Sequence, residues 1–228
     1  MRTIICVPWR GGEPHRERAW AWCRERWERS LPWPIVTADA DPSSPFHRAA
    51  SRNLAAKGRW DVAVFMDADC MLRTRGQRSP HVEPLLEAVR VAAEDGVAVL
   101  PHQRYVSLTE TGTEAILRGR RHGWQMAAKV PRTTAIGGII VIPRPLWKDV
   151  GGYDERFLGW GAEDGAMAET LRALGILRRL PGTLYQLYHP PVPGKYAQYR
   201  LNKPLRRRYA SARGDVTGMR ALIRERRT

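Results

Sequence analysis

Two acidic motifs, about ninety residues apart, hold the side chains best suited to chemistry. Asp67-Ala68-Asp69 follows the apolar run Val62 to Met66, and Glu163-Asp164 closes the segment Gly159-Trp160-Gly161-Ala162. Carboxylates at i and i+2 of a loop can reach one hard divalent cation while the residue between them, Ala68, turns away. Such an ion usually shares its coordination with substrate phosphates. The second acidic pair opens a helix-like stretch, where the helix dipole favours negative charge. A carboxylate there can take the proton of an attacking hydroxyl, and it can equally serve as a plain helix cap. The glycines flanking Trp160 permit close backbone approach, and the indole offers an apolar face to a sugar ring.

The elements that must position these groups read as alternating strands and helices. Thr3 to Val7 is a short β-branched run stopped by Pro8 and Gly11-Gly12, which predicts a first buried strand. Trp20, Cys23 and Trp27 recur at helical spacing within Glu13 to Ser30, a pattern that suits a buried helix face. Ile35 to Thr37 predicts a second strand. Phe46 to Lys57 predicts a helix capped by Ser43 or Ser44, and Val62 to Met66 a third strand. His81 to Asp95 predicts a helix stopped at Gly96, followed by a strand over Val97 to Leu100. Pro101 to Thr134 is irregular, with a helical pattern over Glu114 to Ala128. Gly137-Gly138 enters a strand ending at Pro143. Arg144 to Val150 and Asp164 to Leu174 predict helices, and Leu184 to His189 is strand-like. This alternation predicts an α/β chain with a mostly parallel central sheet flanked by helices. Asp67 then sits just beyond the C-terminal end of a central strand, where such sheets hold ligands.

The chain has 228 residues with 43% hydrophobic content, sufficient for one core. No apolar run reaches the ~18–20 residues needed to span a bilayer. Met1-Arg2-Thr3 leads directly into the first strand without a signal-peptide pattern, so the expected location is cytoplasmic. Cys6, Cys23 and Cys70 lack zinc-ligand spacing and are expected as reduced thiols. A net charge of +15 comes almost wholly from arginine and would favour polyanionic partners. A solvated basic surface accounts for it better than a dedicated nucleic-acid groove does. The expected organisation is one domain over 1–197 and a basic C-terminal tail over 198–228, helical or partly disordered.

Several segments resemble the metal-dependent glycosyltransferases of the GT-A fold, particularly the C-terminal module of the β-1,4-galactosyltransferase type. The segment Gly159 to Asp164, with Tyr153 to Phe157 before it, is similar to that family's Gly-Trp-Gly-x-Glu-Asp motif. Ala50-Ser51-Arg52-Asn53, ahead of Asp67-Ala68-Asp69, is similar to the stretch preceding its Asp-x-Asp. The resemblance implies an inverting transfer from a nucleotide-diphosphate sugar, UDP-linked by expectation, to an acceptor hydroxyl. Asp164 would be the base and Glu163 an acceptor-binding partner, although Gly165-Ala166 departs from the family's further acids and leaves that division open. Asp67, Asp69 and His189 would hold the ion. A lone histidine is more often structural, but one completes the metal site in these relatives, and Mn²⁺ accepts imidazole more readily than Mg²⁺. Pro8, Arg10, Asp39, Arg52, Gly138 and Trp160 would contact the donor, with Asp41 placed as well as Asp39.

Other readings share some of these residues. A retaining transferase or a nucleotidyltransferase could use the same Asp-x-Asp site. A basic nucleic-acid-binding protein would rest on Arg206-Arg207-Arg208 and on Arg224, Arg226 and Arg227, although no helix-turn-helix, zinc-finger or RNA-recognition signature is present. A transferase acting on a hydroxylated DNA base would combine both, with duplex substrate requiring base extrusion. Glycan, lipid and protein acceptors are the other classes compatible with the motifs.

Overall fold

The structure, a computed structural model, describes residues 1–73, 82–128, 136–192 and 194–226. The expected helix start at His81 and the charge of Arg227 lie outside these residues.

Two apolar, β-branched runs make the centre of the fold. Strands β1 (Thr3–Pro8) and β3 (Val62–Met66) are buried along their whole length, as expected for strands covered on both faces. They pair in parallel, and β2 (Ile35–Ala38) extends the sheet on the far side of β1. Strand β7 (Ile139–Pro143) runs antiparallel to β3 and to β5 (Ala98–Leu100), and β8 (Leu177–Arg179) pairs in parallel with β5. The six-stranded order is β2-β1-β3-β7-β5-β8. The sheet is therefore mixed: β7 alone opposes its neighbours, which refines the mostly parallel expectation.

A second sheet does not follow from the sequence pattern. Strands β4 (Cys70–Arg73), β9 (Thr183–Gln186) and β6 (Arg104–Ser107) form it in the order β4-β9-β6. Cys70 pairs with Gln186, so this pairing joins the loop after β3 to a segment more than a hundred residues downstream. Each strand is short and unremarkable alone, and only the long-range ladder defines it.

Helix α1 (Pro14–Ser30) buries Trp20, Cys23 and Trp27 and is capped by Glu13, which accepts from the amides of His15 and Arg16. Helix α2 (Arg48–Ala55) is capped by His47, whose side chain accepts from Ala50 N. Neither serine expected to cap it does so, because Ser43 and Ser44 are held by Asp41 in the preceding loop. Helix α3 (Glu83–Asp95) ends at Gly96 in the left-handed region. The helix expected over Glu114 to Ala128 is instead α4 (Glu110–Leu117) and a separate 3-10 turn over Arg121–Gln125. Gly119, at φ +77°, interrupts it. Helices α5 (Arg144–Val150) and α6 (Glu163–Ala173) follow their patterns within a residue.

The C-terminal segment forms α7 (Lys195–Ser211) and α8 (Val216–Glu225), and α7 runs across the expected boundary at 197/198. Tyr209, Ala212, Met219, Leu222 and Ile223 pack with Phe157, Ala166 and Ala173 in a shared buried cluster. Arg206 and Arg213 pair with the buried Glu169, and Arg226 donates to Tyr209 Oη, Thr170 Oγ1 and the carbonyls of Val150 and Gly152. Arg206 and Arg226 thus place part of the apparent tail charge inside the molecule. No helix among the described residues is long and apolar enough to cross a membrane.

Gly138 joins the two sheets. Its carbonyl accepts from Asp67 N at 2.8 Å, and at φ +92° a Cβ would lie 2.2 Å from Leu184 Cδ2. Replacing Gly138 with Ala should lower stability by about 2–4 kcal/mol, through both left-handed strain and overlap. Urea unfolding monitored by tryptophan fluorescence would measure it.

Candidate functional site

The carboxylate-rich centre lies where β3 ends beside α2 and the N-terminus of α6. Arg48 and Arg52, one turn apart on α2, face this centre together. Arg48 Nη2 donates to both Asp67 oxygens at 2.8 Å, and Arg52 Nη2 to Asp67 Oδ1 at 2.7 Å. Arg52 Nη1 reaches Asp164 Oδ1 at 2.8 Å and Glu163 Oε1 at 3.1 Å. A single guanidinium therefore links both acidic motifs. Burial opposes ionisation of Asp67, but Arg48 and Arg52 outweigh it and hold its carboxyl well below the ordinary range.

Asp164 behaves differently. Burial raises its carboxyl to about 6, with Arg52 opposing and Glu163 adding to the rise. A carboxylate tuned upward in this way suits general-base work near neutral pH. The side chain of Glu163 is only 2% exposed, against 21% for Asp164. Glu163 is thus turned inward onto the arginines, whereas Asp164 keeps a solvent-facing edge. Ala162, immediately before α6, is the only non-glycine at positive φ among the described residues, at +82°. Backbone strain of this kind gathers at functional sites.

Asp69 points to another set of partners. Its Oδ2 lies 3.3 Å from His189 Nε2 and accepts from Gln186 Nε2 at 3.0 Å. His189 Nδ1 lies 2.7 Å from the Pro190 carbonyl. A carbonyl only accepts, so Nδ1 carries the hydrogen, and Nε2 is the ring nitrogen that faces Asp69. Carboxylate and imidazole donors this close fit a manganese-type ion better than magnesium. Asp67, Asp69 and Cys70 also bring ligand atoms within 4.8 Å of one another, but the Asp67 oxygens already serve two arginines.

A cavity of about 110 Å³ borders the Asp67–Asp69 loop and His189, lined among others by Pro8, Arg48, Asp69, Trp160, His189 and Gln198, with Asp164 outside its lining. It can hold an ion with its waters; a nucleoside diphosphate must extend beyond it, since ligand pockets run to about 300–1,000 Å³. Arg10 and Asp39 lie just outside. They form a bidentate pair at 2.5 and 2.7 Å, and Arg10 also donates to the carbonyls of Ser44 and Asp41. The pair locks the loops after β1 and β2 together at the cavity's edge. Gly138 faces Leu184, Tyr105 and Cys70, while a Cβ on Gly137 would meet Asp164 Oδ2 at 2.9 Å.

Trp160 is held from α7. Its amide donates to Gln198 Oε1, and the buried Asn202 accepts from Leu158 N while donating to the Leu158 and Gly161 carbonyls. Lys195 lies over the indole at 5.6 Å. Sequence reasoning missed Arg48, Gln186, Gln198 and Asn202. Arg48 could have been found as the i, i−4 partner of Arg52, and Gln186 by its place three residues before His189. The α7 residues carry no signal of their own.

The family model described as the N-terminal domain of galactosyltransferase matches residues 122–190. That span holds the Gly159–Asp164 motif and His189 and bears out the resemblance read there. Among curated proteins no sequence matches. The catalytic domain of Drosophila β1,4-galactosyltransferase 7, solved with xylobiose, aligns at TM-score 0.50 and 14% identity, over 87% of this chain and 79% of that one. This is the GT-A glycosyltransferase fold. A mutant of the same Drosophila enzyme with manganese, UDP-Gal and xylobiose aligns at 0.49 and 14%, over 86% and 79%. GalNAc-T7 with UDP, GalNAc and Mn²⁺ aligns at 0.48 and 13%, over 99% of this chain and 49% of that one. Within this GT-A chain, β3 carries Asp67 to the site and β9 leads into His189.

Arg52 balances three carboxylates, so Arg52→Met should cost about 3–5 kcal/mol by leaving them undercompensated. It should also move the Asp164 carboxyl above its present value. Denaturant unfolding and carboxyl titration by NMR would read the two effects.

Proposed function

We propose that this protein is a metal-dependent glycosyltransferase that moves a sugar, with inversion, from a UDP-sugar to an acceptor hydroxyl. The observation that carries the reading is the pairing, through Arg52, of the Asp67-Ala68-Asp69 loop with a carboxyl raised to about 6. Enzymes of this fold solved with UDP and manganese support the donor and the ion.

Asp69 and His189 would hold the ion, with Gln186 beside them and Asp67 contributing its field from the arginine pair. Bound there, Mn²⁺ would supply charge to the departing diphosphate. Pro8 and Phe46 border the cavity on the β1 side and would flank the nucleotide. The Arg10–Asp39 lock would set the position of that wall. Trp160 would cover the donor sugar from the opposite side.

Asp164 would accept the acceptor's proton as its oxygen bonds to the anomeric carbon and the bond to the diphosphate breaks. Glu163, turned inward, is a positioning residue in this reading: it holds Arg48 and Arg52 in place, and its own charge adds to the raised carboxyl of Asp164. This assigns the two acids of the motif different duties.

UDP with Mn²⁺ should raise the melting temperature, and a ligand at 100 times Kd adds about 2.7 kcal/mol. Asp69→Asn should abolish the shift. No shift with any nucleoside diphosphate would remove the reading, and release of pyrophosphate in place of UDP would assign a nucleotidyltransferase.

The rate of UDP release in the presence of acceptor should fall below about pH 6, as Asp164 takes up its proton. Asp164→Asn should lose turnover by about 100-fold or more while retaining UDP binding. A flat profile from about pH 5 to 7, on the order of one unit either side of that midpoint, would rule out Asp164 as the base.

A further inference from the structure

Helix α7 presents opposite faces to two different surroundings. Its inner face carries Gln198, Asn202 and Tyr209 onto the Trp160 loop and the core. Its outer face carries Tyr196, Tyr199, Arg200, Lys203 and Arg207, all exposed. At 3.6 residues per turn these five positions fall within roughly 100° of the helix circumference.

The stripe begins at the proposed site. Tyr196 is 70% exposed and Tyr199 39% exposed, and both are large rings facing water. The Tyr199 ring lies 6.4 Å from that of Trp160, and Lys195 sits between the Trp160 and Tyr196 rings, at 5.6 and 5.1 Å. From there Arg200, Lys203 and Arg207 follow at intervals of roughly 4.5 and 6 Å along the axis, at about 1.5 Å per residue. Helix α7 contains no acidic residue, so nothing on it offsets this charge.

Two exposed aromatic rings followed by a row of cations match a ligand that carries both flat rings and charges along its length. That is the chemistry of a single nucleic-acid strand, whose bases stack on aromatic side chains while its phosphates follow a basic track. An acidic glycan offers charge without the π face. We propose that the outer face of α7 is the docking track for a single nucleic-acid strand, which leads a base-borne hydroxyl past Trp160 to Asp164. The track rests on the transferase reading only for what happens at its end; strand binding stands or falls separately.

The probe is a fluorescein-labelled oligothymidylate of about 16 nucleotides, within the site sizes known for such tracks. Its anisotropy is followed against salt, alongside thermal shifts with UDP and Mn²⁺. Tyr196→Ala should weaken binding about 10-fold at constant salt slope, as loss of one stacking partner does. Arg200→Gln/Lys203→Gln/Arg207→Gln should make the slope of log K against log salt shallower by about 2, at roughly 0.7 per cation. All four positions are exposed and away from the ion and base residues, so the UDP–Mn²⁺ shift should survive and report a folded protein. Strand binding with wild-type affinity and slope in both variants overturns the track. So does absence of strand binding with the UDP–Mn²⁺ shift intact. Tighter binding of dextran sulfate, lost equally in Tyr196→Ala, overturns it in favour of an acidic glycan. Strand binding on α7 without any UDP–Mn²⁺ shift supports the track and removes the transferase reading alone.

Discussion

The Arg52 guanidinium is the interaction on which the site depends. It is nearly buried and touches Asp67, Glu163 and Asp164, which come from opposite ends of the motif set. Taking ions out of water is expensive unless charge and hydrogen bonds are balanced. Arg48 supplies the second cation, so two guanidiniums face three carboxylates in a compact cluster. The balance is uneven across it: Asp67 is held ionised, while Asp164 is raised toward neutrality. Two aspartates with the same chemistry thus acquire different properties from position alone. The end of β3 and the start of α6 cannot separate without exposing this cluster, which makes the electrostatics a structural tie as well.

The second constraint is the strand pairing behind the aspartate loop. Cys70 pairs with Gln186, and Asp69 O accepts from Leu187 N at 2.9 Å. This ladder sets Asp69 beside His189 with the imidazole already oriented by Pro190. Gly138, without a side chain, lets Leu184 approach close enough for both sheets to meet there. The face proposed to bind the ion is therefore prepared by backbone hydrogen bonds and a missing Cβ.

Helix α7 connects these features to the surface. Asn202 is satisfied entirely by the backbone of the Trp160 loop, so the loop's conformation and the helix's position are one property. Ala162, strained at the end of that loop, is tolerated because Asn202 on one side and the Arg52 cluster on the other define its neighbours. A ligand on the outer face of α7 would act on the same rigid unit that carries Trp160.

Much of the fold was legible in the chain. The runs Thr3 to Val7 and Val62 to Met66 are too apolar and β-branched to be anything but central strands, and Trp20, Cys23 and Trp27 mark a buried helix face by spacing alone. Asp67, Asp69, Glu163 and Asp164 were legible as candidates by type and by what precedes them, and folding brings Asp67, Glu163 and Asp164 onto one guanidinium. Tertiary structure decided the rest, because it depends on residues that meet only after folding. The β4–β9 ladder, the inward turn of Glu163 and the sharing of Arg52 between two motifs leave no local pattern. The helical C-terminal segment looked like a basic tail because its apolar positions, Tyr209, Met219, Leu222 and Ile223, are sparse and its arginines many. Its order comes from partners elsewhere in the chain, Glu169 and Asp154 among them. Local periodicity records which face of an element is buried, and the identity of what covers it is a long-range property.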